Sequence, residues 1–178
     1  MSATESLTIR DVTSEDREQV LKVLLDAYGQ YEQVLPADKW ELYRQAIIAS
    51  FDQEGPEARI VAESDGSIVG SVQLFISSAS AYGAPELGIT GPIIRYLAVS
   101  PGQRGKGIAT ALIRESIKRS LQLGAEWLHL HTSDMMASAV SLYERLGFER
   151  AYNTDVQNGE ILVKGYRIHL QSEAAVQL

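Results

Sequence analysis

The chain of 178 residues contains no cysteine. Disulfides, thiolate metal sites and a cysteine nucleophile are therefore excluded. Long apolar runs are also missing. None approaches the roughly 18 residues of a membrane span, so no membrane partner is expected. The first ten residues are polar and carry no apolar h-region, which predicts a cytoplasmic protein. Positive charge is in deficit, with 16 Lys and Arg against 23 Asp and Glu, a net charge of −7. Nucleic-acid binders usually show a basic face, so no nucleic-acid partner is expected. The same negative balance favours cationic ligands such as amines. Internal repeats, low-complexity tracts and linkers are absent. The length suits one domain over residues 1–178, with residues 171–178 as a loose tail.

What is present reads as alternating strands and helices. Residues 7–10 form a short strand. Thr13, Ser14, Glu15 and Asp16 give a helix start with acid in its first turn. That helix runs to about Tyr28, with Val20, Val23, Leu24 and Ala27 on one face. Asp38 opens a second helix whose stripe is Trp40, Tyr43, Ile47 and Phe51. Trp40 and Tyr43 read as core residues there. Residues 58–63 and 68–77 are strands joined by an Asp65-Gly66 turn. Residues 78–92, rich in Ser, Ala, Gly and Pro, read as a long loop. Strands follow at 93–99 and 127–132, with a helix at 106–123 between them. A helix at 135–146 ends on Gly147, and strands are expected at 148–153 and 161–170. This order gives an α/β domain, one mixed sheet covered by helices.

The chain is organised around residues 97–110. Pro101 and Gly102 break an apolar strand, because proline lacks an amide hydrogen and glycine tolerates positive φ. From Ile108 the apolar period becomes helical, through Ala109, Leu112, Ile113, Ile117 and Leu121, with Gly124 at the C-cap. A helix N-terminus offers unpaired amides and the positive end of a dipole. Gly105 and Gly107 let a phosphate approach that backbone, and Arg104 and Lys106 add charge beside it. Residues 104–110 thus read as a pyrophosphate cradle. Neither G-x-G-x-x-G nor the nucleotide P-loop pattern is present, which counts against a nucleotide-binding protein.

The stretch resembles the acetyl-CoA signature of the GNAT superfamily of N-acetyltransferases, R-x-x-G-x-[GA], filled by Arg104, Gly107 and Ala109. The L-A-V-S-P strand end before it and the I-A-T-A-L-I helix after it match as well. The resemblance implies a GNAT-type sheet, mostly antiparallel and splayed at its middle strands. It implies acetyl-CoA as co-substrate, with Leu97, Ala98 and Val99 along the acetyl-pantetheine arm. Arg104, Gly105, Lys106, Gly107, Ile108, Ala109 and Thr110 would hold the pyrophosphate.

Residues 139–148 resemble the family segment A-x-x-L-Y-x-x-L-G-F, which implies Tyr143 as the general acid for the departing thiolate. Two positions depart from the pattern. Met136 stands where the family often has an asparagine that bonds CoA. Ile93 stands where histone-type members have a glutamate base. An alkylammonium of pKa about 10.4 costs about 4–5 kcal/mol to deprotonate at pH 7. Glu32, Glu41, Glu86, Tyr96 and a water chain remain open as the base. Without cysteine, direct attack of the amine in a ternary complex is expected.

The acceptor is expected to be a small molecule carrying a primary amine. A non-catalytic acyl-CoA-binding module and a protein N-terminal or lysine acetyltransferase are the alternatives. Association with a second copy of the chain stays open. His129 and His131 point to one face of a strand, with Asp134 close in sequence. No third ligand is evident, so no metal is expected.

Overall fold

The structure is a computed structural model that describes residues 6–133 and 137–178. Its strands are β1 (Leu7–Asp11), β2 (Ala58–Ser64), β3 (Ser67–Phe75), β4 (Ile93–Val99), β5 (Trp127–Thr132), β6 (Glu149–Arg150), β7 (Val156–Asn158) and β8 (Ile161–His169). Its helices are α1 (Arg17–Tyr28), α2 (Ala37–Asp52), α3 (Ser78–Tyr82), α4 (Ile108–Gln122), α5 (Ala137–Arg145) and α6 (Glu173–Val176). The class is the expected one, an α/β fold on a mixed, mostly antiparallel sheet. The chain divides into two compact units, Met1–Gln73 with Tyr96–Ile113, and Leu74–Arg95 with Arg114–Leu178.

In the first unit the strand order is β1-β2-β3-β4. β1 and β2 are antiparallel, with Leu7 opposite Ser64 and Asp11 opposite Ile60. The hairpin to β3 turns on Asp65 and Gly66, both at positive φ (49° and 83°), as a two-residue turn with right-handed strand twist requires. The α1 stripe Val20, Val23, Leu24 and Ala27 packs with Ile47 of α2, Val61 of β2, Ile68 of β3 and Ala98 of β4. A period of 3.6 thus delivers one helix face to the strands.

The entry to α1 is held by a buried charge. Asp16 accepts bonds from the Thr13 amide (2.7 Å) and from both Arg10 terminal nitrogens (2.7 and 3.1 Å). These bonds hold its carboxyl well below the usual carboxylate range, the Arg10 bond being the largest cause. Asp16→Ala should therefore cost about 2–3 kcal/mol, read as a lower denaturant midpoint at unchanged m-value. The folded pKa is depressed, so this stabilisation is present above the unfolded value of about 4 and is lost as pH falls through the folded value. Wild type and variant should converge in strong acid, and a constant gap would contradict the assignment.

In the second unit the order is β4-β5-β8-β6, with β7 also pairing β8. β5 and β8 are antiparallel from Trp127 opposite His169 to Thr132 opposite Lys164. β4 and β5 are parallel and share the pair Ile93 and His129. Leu128 and Leu130 from β5, and Tyr166 and Ile168 from β8, fill the core.

Three expectations are corrected here. Residues 78–92 are not one open loop: Ser77 caps α3 by accepting from the Ser80 amide (3.1 Å), and a 3-10 turn follows at Pro85–Leu87. The strand expected over residues 148–153 shortens to β6, and a 3-10 turn Tyr152–Thr154 leads into the unforeseen β7. The C-terminal segment is not a loose tail. Ser172 caps α6 through the Ala175 amide (3.2 Å), and Ala175 is buried. A Cβ on Gly147, which sits at φ 100°, would lie 2.5 Å from the Ala174 Cβ, so that glycine allows α6 to dock.

Candidate functional site

The first unit carries the loop read as a cradle. β4 ends at Val99 and a 3-10 turn spans Pro101–Gln103. Gly105 and Gly107 then take φ of 80° and 79°, in the left-handed region that favours glycine. The first bond within α4 runs from the Ala111 amide to the Gly107 carbonyl (3.0 Å). The amides of Ile108, Ala109 and Thr110 precede it and have no intrahelical partner by helix geometry. Arg104, Gly105, Lys106 and Gly107 are exposed, and Lys106 reaches the Gln103 side chain (3.1 Å). A Cβ on Gly105 or Gly107 would meet nothing within 4 Å, so the space before these amides is open. Backbone donors, a dipole end and two cations on an open face suit a pyrophosphate.

Ile108 is buried and anchors the loop. It packs over Gly70 of β3, where a Cβ would come within 2.9 Å of the Ile108 side chain, 3.1 Å of the Ala98 carbonyl oxygen and 3.1 Å of Leu112. The carbonyl cannot yield as a flexible side chain can. Gly70→Val should thus displace the start of α4 and cost about 1–3 kcal/mol by overpacking, measured by denaturant unfolding. An unchanged midpoint would show that α4 does not rest on this glycine.

Leu97, Ala98 and Val99 lie at the end of β4, with Ala98 in the core and the other two half-buried. Tyr96 precedes them at φ 54°, an outlier for an aromatic residue inside a strand. A left-handed residue there interrupts the strand's alternation and re-aims its backbone groups. The Tyr28 hydroxyl donates to the Leu97 carbonyl (3.2 Å).

Tyr28 also gathers an aromatic cluster. Its ring lies 6.2 Å from Tyr31, 5.9 Å from Tyr43 and 6.5 Å from Tyr96, and Tyr43 lies 6.2 Å from Trp40. Burial raises the Tyr31 phenol above its ordinary value, and the charge of Arg104 opposes that shift. The sequence reading did not find Tyr28 as a partner of the strand. The available signal was the pairing of aromatics three residues apart, Tyr28 with Tyr31 and Trp40 with Tyr43, on consecutive helical segments.

The open candidates for the base scatter. Glu32 and Glu41 are exposed in the first unit, and Glu41 accepts from Arg44 (3.3 Å) and Gln45 (3.2 Å) on its own helix. Glu86 is exposed in the second unit. Tyr96 is half-buried beside Tyr28. Ile93 is fully buried.

Tyr143 belongs to the second unit. It is buried on α5, its ring 5.7 Å from Phe148. The Met136 position lies outside the described residues. His131 engages both ring nitrogens, Nδ1 with the Tyr82 hydroxyl (2.9 Å) and Nε2 with the Thr154 carbonyl (2.7 Å). Burial holds it below the ordinary histidine value, and pushes His129 down to about 4. Among the described residues no group of three potential ligands gathers for a metal. Nor is any described helix long and apolar enough to cross a membrane.

Residues 18–148 fit the model of the acetyltransferase (GNAT) family. The chain is 29% identical over 146 residues, 82% of its length, to an uncharacterized N-acetyltransferase of Methanocaldococcus jannaschii, and spans 62% of that relative. A GNAT-family acetyltransferase structure from Desulfovibrio desulfuricans is similar with a TM-score of 0.69 at 17% identity, over 93% of this chain and 99% of that one. The PaiA N-acetyltransferase of Thermoplasma acidophilum, crystallised with coenzyme A, is similar with a TM-score of 0.65 at 16% identity, over 92% and 99% of the two chains.

Proposed function

The chain belongs to the GNAT acetyltransferase family, and from that premise we propose that it transfers the acetyl group of acetyl-CoA to a primary amine of a small molecule. The observation that carries this reading is the loop at residues 104–110, with two left-handed glycines opening onto the N-terminus of a 15-residue helix. In this role the amides of Ile108, Ala109 and Thr110, with Arg104 and Lys106, bind the pyrophosphate. Leu97 and Val99 pair with the pantetheine arm through their backbone.

With no cysteine in the chain, the amine attacks the thioester directly. Tyr143 is assigned the proton that the departing thiolate takes. A phenol of pKa about 10 serves a thiolate whose conjugate acid lies near about 8–9. The net charge of −7 supports a cationic acceptor. The half-buried Tyr28, which bonds the Leu97 carbonyl, and Tyr43 and Tyr96 around its ring suit an acceptor whose amine is attached to an apolar body.

An amine library assayed for thiol release from acetyl-CoA tests the proposal. Release that depends on a small amine is the expected result. Tight acetyl-CoA binding with no release on any small amine, protein N-terminus or lysine peptide would favour a binding module. Release on peptides alone would overturn the small-molecule acceptor.

A further inference from the structure

We propose that Tyr28 is a positioning residue for acetyl-CoA: its hydroxyl holds the Leu97 peptide, and with it the left-handed turn at Tyr96, so that the end of β4 keeps the shape the pantetheine arm meets. The inference rests on the acetyltransferase reading, which assigns Leu97 and Val99 to that arm.

Every part lies in the first unit. Tyr28 is the last residue of α1, and a 3-10 turn, Gly29–Tyr31, follows it directly. α1 is seated on the strand, because Leu24 and Ala27 share an apolar cluster with Ala98, the residue after Leu97. The Tyr28 ring has three aromatic neighbours, Tyr31 at 6.2 Å, Tyr43 at 5.9 Å and Tyr96 at 6.5 Å, the last two edge to face. Rings packed in this way hold one another's orientation, and the hydroxyl is aimed along the ring axis. It meets the Leu97 carbonyl at 3.2 Å, across 69 positions of sequence. A carbonyl only accepts, so the phenol donates.

What this bond holds is a backbone that would otherwise relax. Tyr96 stands at φ 54°. That conformation is disfavoured for any residue with a Cβ, and most of all for a bulky one inside a strand. It persists only where the surroundings impose it. Two contacts from Tyr28 do so: the ring packs against Tyr96, and the hydroxyl takes the next carbonyl along the chain. The peptide is planar, so fixing the Leu97 carbonyl also fixes the amide of Ala98, which points the opposite way. The backbone groups around Leu97 thus take their direction from α1.

Packing alone would not call for the hydroxyl. Phenylalanine would fill the same cluster and make the same ring contacts. The hydroxyl adds a directed bond to the strand instead of apolar area. The segment that carries it also runs near the glycine loop, since the charge of Arg104 acts on the Tyr31 phenol. The strain at Tyr96 and the hydrogen bond that offsets it are comparable in size. Without the hydroxyl the extended form therefore competes, and the affinity falls with the fraction of molecules that keep the competent form.

The test compares wild type with Tyr28→Phe by calorimetric titration of two ligands. One is acetyl-CoA. The other is 3′-phospho-ADP, the nucleotide half of coenzyme A, which has the pyrophosphate and lacks the pantetheine arm. The substitution should raise the acetyl-CoA Kd about three- to tenfold, the equilibrium factor of one hydrogen bond. The 3′-phospho-ADP Kd should change less than about twofold, as expected for a site with no shared partner. An unchanged acetyl-CoA Kd would overturn the proposal. So would equal losses on both ligands, which a merely structural role of the hydroxyl would produce.

NMR spectra of the free proteins add an arm independent of binding. The HN–Hα coupling of Tyr96 should move toward the value of extended backbone in Tyr28→Phe, and an unchanged coupling would overturn the role of the hydroxyl in holding the turn. Failure of the wild type to bind acetyl-CoA would be a failure of the acetyltransferase reading, and the positioning role would fall with it. Normal wild-type binding with no change of Kd in Tyr28→Phe would be a failure of the positioning role alone.

Discussion

Gly107→Asp should abolish detectable acetyl-CoA binding while leaving the fold intact. A side chain at residue 107 meets no atom within 4 Å, so the substitution creates no clash. Its backbone cost is the left-handed conformation, φ 79°, about 1–2 kcal/mol for a residue with a Cβ. Aspartate is otherwise favourable just before a helix, where it accepts from first-turn amides, and this offsets part of that cost. The loss falls on the ligand. The carboxylate would occupy the amides that are to hold the pyrophosphate and place a negative charge against it. Like charges about 4 Å apart repel by about 1–4 kcal/mol per pair between bulk-water and near-surface screening, and a pyrophosphate carries more than one charge. A loss of at least about 100-fold in affinity follows. Gly107→Ala separates the causes. It carries the same backbone penalty without the charge and should lose about tenfold or less. Calorimetric titration reads both variants. Equal affinities for Gly107→Asp and wild type would remove the phosphate from this loop.

Tyr143→Phe should lower kcat about 100-fold or more with little change in acetyl-CoA affinity. Phenylalanine keeps the ring, so the contact with Phe148 at 5.7 Å and the burial of the side chain survive. What is removed is the hydroxyl proposed as the proton donor. A thiolate then leaves unprotonated, and the rate should recover as pH rises toward the range where free thiolate is stable, near about 8–9. Wild type should not show that recovery. Steady-state kinetics between pH 6 and 9 distinguish the two profiles. Equal kcat values for the two proteins would make Tyr143 a packing residue of α5 and nothing more.

The regions legible in the sequence are those whose signals are local. The turn at Asp65-Gly66, the stripe of α1 and the passage from strand to glycine loop to helix at residues 97–110 each depend on neighbours along the chain. Proline, glycine and a change of period announce them. The regions that were not legible depend on distant partners. Residues 78–92 look like a loop by composition, yet the Ser78 amide bonds the Ile89 carbonyl (2.8 Å) and Arg95 bonds the Ala81 carbonyl. β7 is three residues long and exists because β8 pairs with it, from Val156 opposite Val163. α6 docks against Gly147, which the sequence marked only as a helix end.

The same division runs through the candidate site. The glycine loop and its two cations were readable because glycine, arginine and lysine sit side by side in the chain. The bond from Tyr28 to Leu97 spans 69 positions and that from Tyr82 to His131 spans 49, and no periodicity carries such pairs. His131 showed itself in the sequence only as one of two imidazoles on a strand face with no evident third ligand for a metal. Its actual partners, a phenol and a carbonyl, give it different chemistry.

The most direct measurement is a calorimetric titration of the full chain with acetyl-CoA, with ATP and NAD as controls. The account predicts saturable binding of acetyl-CoA and none of NAD or ATP at the same concentrations. Binding of ATP or NAD with none of acetyl-CoA would make the loop a general phosphate site. No binding of any of the three would leave residues 104–110 as the start of a helix, and the acetyltransferase reading of this chain would fall with it.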